Sequence, residues 1–231
     1  MSDTLPGRGP FRFGVLVRVV ATIAALGMWF WTQSLIGSRA SSPGIGDALQ
    51  NLFAGLNFYF GHHTTAANVL LIVSSALIDL LGLFLIAEWI FIGRSRGFLG
   101  LVLLLALRQV MQALCALPPP PNMIWRFPGF PSLFVTYNVG NDFFFSGHTA
   151  IAVFAAIELS RLRRRWLTVL GFAIVIFEVA TVLILRAHYT MDVFTGAVTA
   201  LWVAALCDSV APRVDRLLVG ANLRASSKAA G

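Results

Sequence analysis

Long apolar runs restrict the fold of this chain more than any other feature. Residues 67–92 include only Asp79 and Glu88 as charged side chains, and residues 166–186 include only Glu178 and Arg186. A run of about 20 predominantly apolar residues can cross a bilayer as a helix, which satisfies its own backbone groups. Charged residues make up 12% of the chain, against about 25% in soluble domains. The sequence therefore predicts an all-α, polytopic membrane protein with a single bundle of six transmembrane helices and no soluble domain.

Six stretches are predicted to span the membrane. They are residues 14–36, 67–92, 97–116, 146–160, 166–186 and 189–209. The third contains Arg108 and stops at the four prolines that follow Leu117, because proline cannot continue a helix. The prediction divides the chain into an N-terminal tail of residues 1–13, a membrane domain of residues 14–210 and a C-terminal tail of residues 211–231. Residues 118–142 are too polar and too rich in Pro and Gly to span.

Basic residues mark alternate connections between these spans. They are Arg8 and Arg12, Arg94 and Arg96, the Arg-Leu-Arg-Arg-Arg run at 161–165, and Arg213, Arg216, Arg224 and Lys228. Because cytoplasmic loops carry an excess of Lys and Arg, both termini and these loops are expected to be cytoplasmic. The formal net charge of +7 then reflects topology, and nucleic acid is not an expected partner.

Two polar clusters interrupt the apolar pattern. Asp142, Ser146 and His148 occur in "NDFFFSGHTA" (141–150), and "LRAHYTMDVF" (185–194) carries a second set with Arg186, His188 and Asp192. Spans four and six both run inward from the non-cytoplasmic face, so the two clusters lie at the same membrane depth. We expect them to meet.

The surroundings of these clusters favour an anion. Helix N-termini present free N–H groups and a positive dipole end, which together bind phosphate. Gly147 would let a ligand approach the backbone, and Ser146 would cap span four. Arg186 and Arg108 would supply planar donors for phosphate oxygens.

The histidines predict the reaction. His188 and Asp192 are spaced i, i+4 and share a helix face, so the carboxylate can hold one imidazole nitrogen protonated and leave the other as a nucleophile. His148, on another helix, suits a general acid that protonates a leaving oxygen. This pattern indicates phosphoryl transfer through a phosphohistidine, with no metal or cofactor required. A single histidine at a helix end is usually an ordinary polar residue, but ionisable groups within spans indicate function because their burial is costly.

Three motifs resemble the sphingomyelin synthase and phosphatidylcholine:diacylglycerol cholinephosphotransferase branch of the type-2 phosphatidic acid phosphatase superfamily. The block from Asp142 to Thr149 resembles its Asp-x3-Ser-Gly-His-Thr element, and "HYTMDV" (188–193) resembles its His-Tyr-Thr-x-Asp-Val element. The stretch from Arg108 to Pro121 resembles its Arg-x8-Leu-Pro-x-Pro element. The three occur in the same order on a six-span chain.

The resemblance implies a role for each residue. His188 would be the nucleophile, Asp192 its partner, and His148 the acid that protonates the leaving diacylglycerol and then the base toward the incoming alcohol. Asp142 would contact the choline ammonium or tune His148. Reactions of this type move phosphocholine between lipids on the lumenal or extracytoplasmic leaflet without a metal.

The chain departs from the phosphatase branch of that superfamily. It has no Lys-x6-Arg-Pro block, has Phe145 in place of proline, and has Val182 where an arginine is usual. Arg186, two residues before His188, is similar to the plant cholinephosphotransferases. These departures favour a transferase over a simple phosphatidate phosphatase.

Several further residues have two readings each. Asp79 and Glu178, inside spans two and five, would line a head-group pocket or pair with arginines. The adjacent His62 and His63 favour an interfacial segment over a metal site. Trp125 or Tyr137 would pack at the interface or contribute to a cage for a quaternary ammonium.

The sequence is compatible with three functions. The first is a transferase that moves phosphocholine, or a similar phospho-head group, from a glycerophospholipid to diacylglycerol or ceramide. The second is a lipid phosphatase or phospholipase C-type hydrolase that uses water, and the third is a non-catalytic lipid-binding or scrambling bundle. Membrane lipids are the expected partners, and the sequence also allows a homo-oligomer. A bacterial inner membrane is favoured over a secretory-pathway membrane.

Overall fold

Helices account for all regular secondary structure in the part of the chain that the structure describes. The computed structural model describes residues 44–115, 117–137 and 143–229, with side chains up to Leu217, and four isolated residues of the first predicted span, Val20, Ile23, Gly27 and Trp31. The helices are α1 (Ala48–Leu52), α2 (Ala54–His62), α3 (Thr64–Ala87, continued by a π-helical turn at Glu88–Ile92), α4 (Ser95–Leu114), α5 (Gly147–Arg161), α6 (Arg165–Ile184) and α7 (Thr190–Ala229).

Four of the described helices are long and apolar enough to cross a membrane. They are Thr64–Ile92, Ser95–Leu114, Arg165–Ile184 and Thr190–Leu217, and they correspond to the second, third, fifth and sixth predicted spans. The fourth prediction, 146–160, coincides with α5, which has 15 residues and falls short of the roughly 20 that a span needs. The first prediction, 14–36, lies almost wholly outside the described residues.

The contacts divide the chain into two units, Met1–Gly46 and Asp47–Gly231. In the first unit the described side chains of Val20, Ile23 and Trp31 are exposed. Helices α1 to α7 all belong to the second unit, whose architecture determines the candidate site.

Helix α5 lies at the centre of the second unit, in contact with α3, α4, α6 and α7. Ten of its 15 residues are buried, and four of these are alanines whose small side chains let neighbouring helices approach. Small residues on the neighbouring helices also allow close approach. The Phe154 ring of α5 lies directly over Gly100 of α4, and a Cβ added to Gly171 of α6 would meet the Ala156 backbone at 3.0 Å.

A partly buried ionic cluster joins three helices at the C-terminal end of α5. Arg96 of α4 pairs with Glu158 of α5, and Asp208 of α7 accepts from Arg161 at 2.6 Å and from Arg96 at 3.3 Å. Glu158 thus lies between Arg96 and Arg161, whose Nε is 3.8 Å from its carboxylate. The N-terminal end of α5, at the opposite end of this helix, carries the candidate site.

Two stretches without predicted spans pack beside the candidate site. Residues 117–137 form no helix, as their prolines predict, and Asp79 of α3 fixes them by accepting from the N–H groups of Leu133 and Phe134 at 3.0 Å. Residues 47–63, in contrast, form the short helices α1 and α2, which the sequence pattern does not reveal.

Candidate active site

The N-termini of α5 and α7 meet, and this contact brings the two polar clusters together. The Ser146 N–H donates to the Asp192 carbonyl at 3.1 Å. Gly196, one turn further along α7, makes this approach possible because a Cβ there would lie 2.6 Å from the Ser146 carbonyl oxygen. His148 and His188 consequently line one cavity.

Ser146 and Asp192 both organise helix N-termini. The Ser146 hydroxyl caps α5 by accepting from the Thr149 N–H at 3.3 Å, which confirms the capping predicted for it. The Asp192 carboxylate, in the first turn of α7, accepts from the Tyr189 N–H at 2.9 Å. An acidic side chain in this position satisfies a free donor and opposes the helix dipole. Both residues are fully buried, and neither lines the cavity.

The position of the His188 ring fixes its tautomer. Its Nδ1 lies 2.8 Å from the Phe143 carbonyl oxygen and 3.8 Å from the Asp192 carboxylate. Because a carbonyl oxygen can only accept, Nδ1 must carry the proton and Nε2 is left with its lone pair. The backbone of Phe143 therefore holds the imidazole in the form that a nucleophile needs, with the Asp192 charge close by.

His148 occupies more apolar surroundings. Its Nε2 is buried with no hydrogen-bond partner among the described residues, and its ring meets the Trp125 indole edge to face at 5.1 Å. An unpartnered buried nitrogen is costly, which is the pattern of a group whose partner is a ligand. Its position beside His188 on the cavity wall suits proton transfer to or from a group bound there.

The cavity carries positive charge without a lining carboxylate among the described residues. Arg108 lines it together with the two histidines, and its Nε donates to the Phe145 carbonyl at 3.1 Å. Gly147 also lines the cavity, and a Cβ added there would lie 3.0 Å from that Nε, so the absent side chain leaves room for Arg108. A cation beside the N-terminus of α5 is electrostatically unfavourable unless an anion joins it.

Aromatic residues of the 117–137 stretch close the cavity. Trp125 and Phe134 line it, and the Trp125 Nε1–H donates to the Thr136 carbonyl at 2.9 Å, tying this part of the loop together. Tyr137 packs against Trp125 at 5.3 Å and exchanges a hydrogen bond with Ser75. Burial, the largest effect, raises the pKa of Tyr137, and the nearby carboxylates of Asp79 and Glu178 raise it further.

Arg186 lies outside the lining of the cavity. Its Nη1 donates to the Pro121 carbonyl at 2.9 Å and its Nη2 to the Gln50 carbonyl at 3.3 Å. It stands just past α6 with φ of 55°, a left-handed conformation that costs a non-glycine residue about 1–2 kcal/mol. The guanidinium thereby joins three segments around the His188 loop. Asp142, the remaining predicted site residue, lies outside the described residues.

Two amides that sequence reasoning did not single out also hold this loop. The Gln50 side chain donates to the His188 carbonyl at 3.1 Å, and the Asn57 side chain donates to the Ile184 carbonyl at 2.9 Å. Both amides are buried. An amide in an apolar stretch is a weak signal in a sequence, because its partner here is a backbone carbonyl more than 120 residues away.

The other polar residues singled out in the sequence have structural partners. Asp79 binds the 132–134 turn, and Glu178 accepts from the Ser74 hydroxyl at 2.6 Å; neither lines the cavity. His62 and His63 are exposed and each bonds a carbonyl of its own helix. Within the described residues, no group of three or more His, Cys, Asp or Glu could hold a metal ion.

Fold and site together define a class: a helical integral membrane protein with a two-histidine, cationic cavity between the N-termini of two helices. Comparison with known sequences identifies the family. Residues 47–211, which include every described residue of the site, match the AtPDCT1/2 family model, and the chain belongs to this family.

Two related proteins come from Arabidopsis thaliana. Phosphatidylcholine:diacylglycerol cholinephosphotransferase 1 is 26% identical over 188 residues, which cover 81% of this chain and 52% of the relative. Phosphatidylcholine:diacylglycerol cholinephosphotransferase 2 is 24% identical over 129 residues, which cover 56% of this chain and 41% of the relative. The aligned parts thus span about half the length of these relatives or less. No solved structure matches the chain significantly.

Proposed function

We propose that this protein is an integral-membrane lipid phosphotransferase that moves phosphocholine, or a similar phospho-head group, from a glycerophospholipid to a lipid alcohol. The observation that carries the proposal is the cationic cavity at two helix N-termini, which is lined by Arg108, His148 and His188. This combination suits a phosphate group next to a nucleophile and a proton donor. Membership of a family whose relatives are named cholinephosphotransferases supports phosphocholine as the group and diacylglycerol as an acceptor; ceramide is a second candidate acceptor.

The reaction is proposed to proceed in two half-reactions. His148 takes up a proton when the anionic phosphate binds beside it. The His188 Nε2 lone pair attacks phosphorus, the bond between phosphorus and the diacylglycerol oxygen breaks, and His148 gives its proton to that oxygen. In the second half, the acceptor hydroxyl attacks the phosphohistidine, the P–N bond breaks, and neutral His148 takes the hydroxyl proton. The starting protonation states are thereby restored.

The remaining residues have supporting roles in this proposal. Arg108 and the N–H groups of α5 offset charge on the phosphate oxygens, and Asp192 stabilises the positive charge that develops on His188. Arg186 acts on the loop that carries His188 through the Pro121 and Gln50 carbonyls. The cavity volume is about 40 Å³, room for water but not for a lipid head group, so we infer that the Trp125 and Phe134 wall moves when a lipid binds.

The proposed membrane arrangement has six spans. It adds α5 and residues 14–36 to the four apolar helices, with α5 reaching less far because helices surround it. The alternate basic loops support cytoplasmic termini and a site at the extracytoplasmic face.

Transfer of a labelled head group tests this function. Purified protein in liposomes receives head-group-labelled phosphatidylcholine with and without diacylglycerol or ceramide, and wild type is compared with His188→Ala. His62→Ala is the matched control, because His62 is exposed and lies outside the cavity. We expect label in a new lipid with wild type and the control, and only when an acceptor is present.

The other outcomes separate the alternatives. Water-soluble phosphocholine released without an acceptor would instead identify a hydrolase. If phosphatidylcholine, phosphatidylethanolamine and phosphatidate all gave no product, the catalytic interpretation would be wrong.

A further inference from the structure

Residues 47–63, which we call the outer segment, have an inverted distribution of polarity. The two fully buried side chains of its helices are the amides of Gln50 and Asn57, with 3% and 5% exposure. Its exposed side chains include five large apolar ones, Leu49, Leu52, Leu56, Phe58 and Tyr59. A helix facing water carries its polar residues outside, so this pattern indicates that the outer surface of the segment faces an apolar medium.

The position of the outer segment specifies that medium. Helix α2 ends at His62, and α3, which is apolar enough to cross a membrane, begins at Thr64. The segment therefore lies at the end of a candidate spanning helix, where the bilayer meets water. With five and nine residues, α1 and α2 are too short to span. Aromatic residues such as Phe58 and Tyr59 favour this boundary.

The inner surface of the outer segment is bonded to the loop that carries His188. Asp47 accepts from both the N–H and the hydroxyl of Thr190 at 2.6 Å, and Gln50 donates to the His188 carbonyl at 3.1 Å. Asn57 holds the Ile184 carbonyl at 2.9 Å. These contacts lie on both sides of His188, so a displacement of the outer segment would displace the histidine.

We propose that the outer segment is a membrane-surface element: its apolar face rests in the interfacial layer of the lipid bilayer, and its polar face positions His188. Gln50 is its principal positioning residue, acting through the His188 carbonyl. The bilayer contact stands independently of catalysis, whereas the effect on transfer rests on the proposed function.

Lipid-borne quenchers test the bilayer contact. The full chain with Cys115→Ser and Leu52→Cys is placed in liposomes with a fluorophore on the introduced thiol, since Leu52 is 73% exposed. Arg164→Cys, in an exposed polar loop, is the control. Nitroxides on acyl chains are expected to quench the label at 52 more strongly than the label at 164, at a depth of about 5–10 Å into the headgroup and acyl boundary. Equal quenching, or cross-linking of position 52 to residues 1–46 or to a second copy, would overturn the contact.

Matched amide variants test the positioning. Gln50→Ala removes the buried amide, and Asn51→Ala removes the exposed amide beside it. We expect Gln50→Ala to lower kcat for head-group transfer by about 10²-fold, with KM for the lipid and the quenching at position 52 unchanged, and Asn51→Ala to behave as wild type. Faster deuterium uptake by residues 184–190 in Gln50→Ala alone is expected even if wild type proves to have no transferase activity. Equal rates and equal uptake in both variants would refute the positioning role.

Discussion

At the scale of single residues, the two histidines have unequal surroundings. The Phe143 carbonyl holds His188 Nδ1 at 2.8 Å, whereas His148 has a buried Nε2 without a partner among the described residues. A nucleophile needs a fixed tautomer, and an acid–base group needs a free nitrogen that faces the substrate. This difference supports the assignment of His188 as the nucleophile and His148 as the proton carrier.

A leaving-group comparison distinguishes these two roles. His148→Gln is expected to lower turnover of phosphatidylcholine by about 10²–10⁴-fold, because the leaving alkoxide then lacks its proton donor. With p-nitrophenyl phosphocholine, whose leaving oxygen needs no proton, the first release of nitrophenolate should fall much less. Single-turnover absorbance measures this release. An equal loss with both donors would contradict the role of His148, and the exposed His63→Gln serves as the control.

The sequence predicted part of this residue-scale picture. The prediction that His188 and Asp192 share a helix face is wrong, because His188 lies in the loop before α7, which begins at Thr190. The predicted proximity is confirmed, since Asp192 lies 3.8 Å from the His188 ring and His148 lines the same cavity as His188. The spacing did not reveal the Phe143 carbonyl, because a backbone acceptor has no signature in the residue types. The predicted phosphate contact of Arg186 stays a prediction, and the carbonyls that hold its guanidinium belong to segments 65 and 136 residues away.

At the scale of elements, the packing of α5 against α7 sets the separation of the two histidines. Gly196→Ala would place a Cβ 2.6 Å from the Ser146 carbonyl oxygen, so the helix N-termini must move apart. We expect a loss of about 1–3 kcal/mol in stability and a loss of about 10²-fold in transfer rate. Thermal unfolding in detergent and the head-group assay measure the two effects.

A second glycine provides the control for that substitution. A Cβ on Gly55 of α2 would meet no atom within 4 Å, so Gly55→Ala should leave activity unchanged and stability unchanged or slightly raised by helix propensity. Loss of activity in both variants would show that the close contact at Gly196 is not the cause.

The attachment of the outer segment to α7 should depend on pH through Asp47. Burial alone would raise the pKa of Asp47, but the hydrogen bonds from Thr190, Gln50 and Leu49 outweigh it and hold the pKa below 3.8. Folding therefore favours the ionised carboxylate. Its contribution to the stability of this attachment is complete above the unfolded-state pKa and is lost as pH falls through the lowered folded-state pKa.

Deuterium uptake by residues 48–62, corrected for intrinsic exchange, measures this attachment. Uptake in wild type should stay constant from neutral pH to about pH 5 and rise below about pH 4. Asp47→Asn should show the faster uptake at every pH. A wild-type profile parallel to that of the variant would exclude Asp47 as the titrating group.

The elements themselves were predictable where apolar runs are long. Four predicted spans coincide with the helices that are apolar enough to cross a membrane. Helices α1 and α2 were not predicted, because their outward residues are apolar and their inward residues are amides, which conceals the usual helical pattern. The 15 residues of α5 show that a central helix, covered on several sides by others, can be shorter than its exposed neighbours.

At the scale of the whole molecule, the two ends of α5 carry opposite kinds of polar site. Its N-terminus contributes Gly147 and His148 to the cationic cavity, and its C-terminus contributes Glu158 and Arg161 to the cluster with Arg96 and Asp208. Fifteen helical residues separate these ends by about 22 Å. The buried Arg96–Glu158 pair contributes little net stability but is costly to break, so it fixes how α4 and α5 sit together.

The proposed six-span arrangement requires the two ends of α5 to lie near opposite faces of the membrane. In a Cys115→Ser background, Pro119→Cys reports on the exposed loop over the cavity, and Arg164→Cys reports on the basic loop beyond the ionic cluster. A membrane-impermeant thiol reagent should label position 119 only from the extracytoplasmic side and position 164 only from the cytoplasmic side, because arginine-rich loops stay in the cytoplasm. Labelling of both positions from one side would contradict the proposed topology, because the cavity and the basic loop would then lie at the same membrane face. If position 119 were labelled only from the cytoplasmic side and position 164 only from the extracytoplasmic side, the six-span bundle would be retained but the head-group chemistry would lie at the cytoplasmic leaflet.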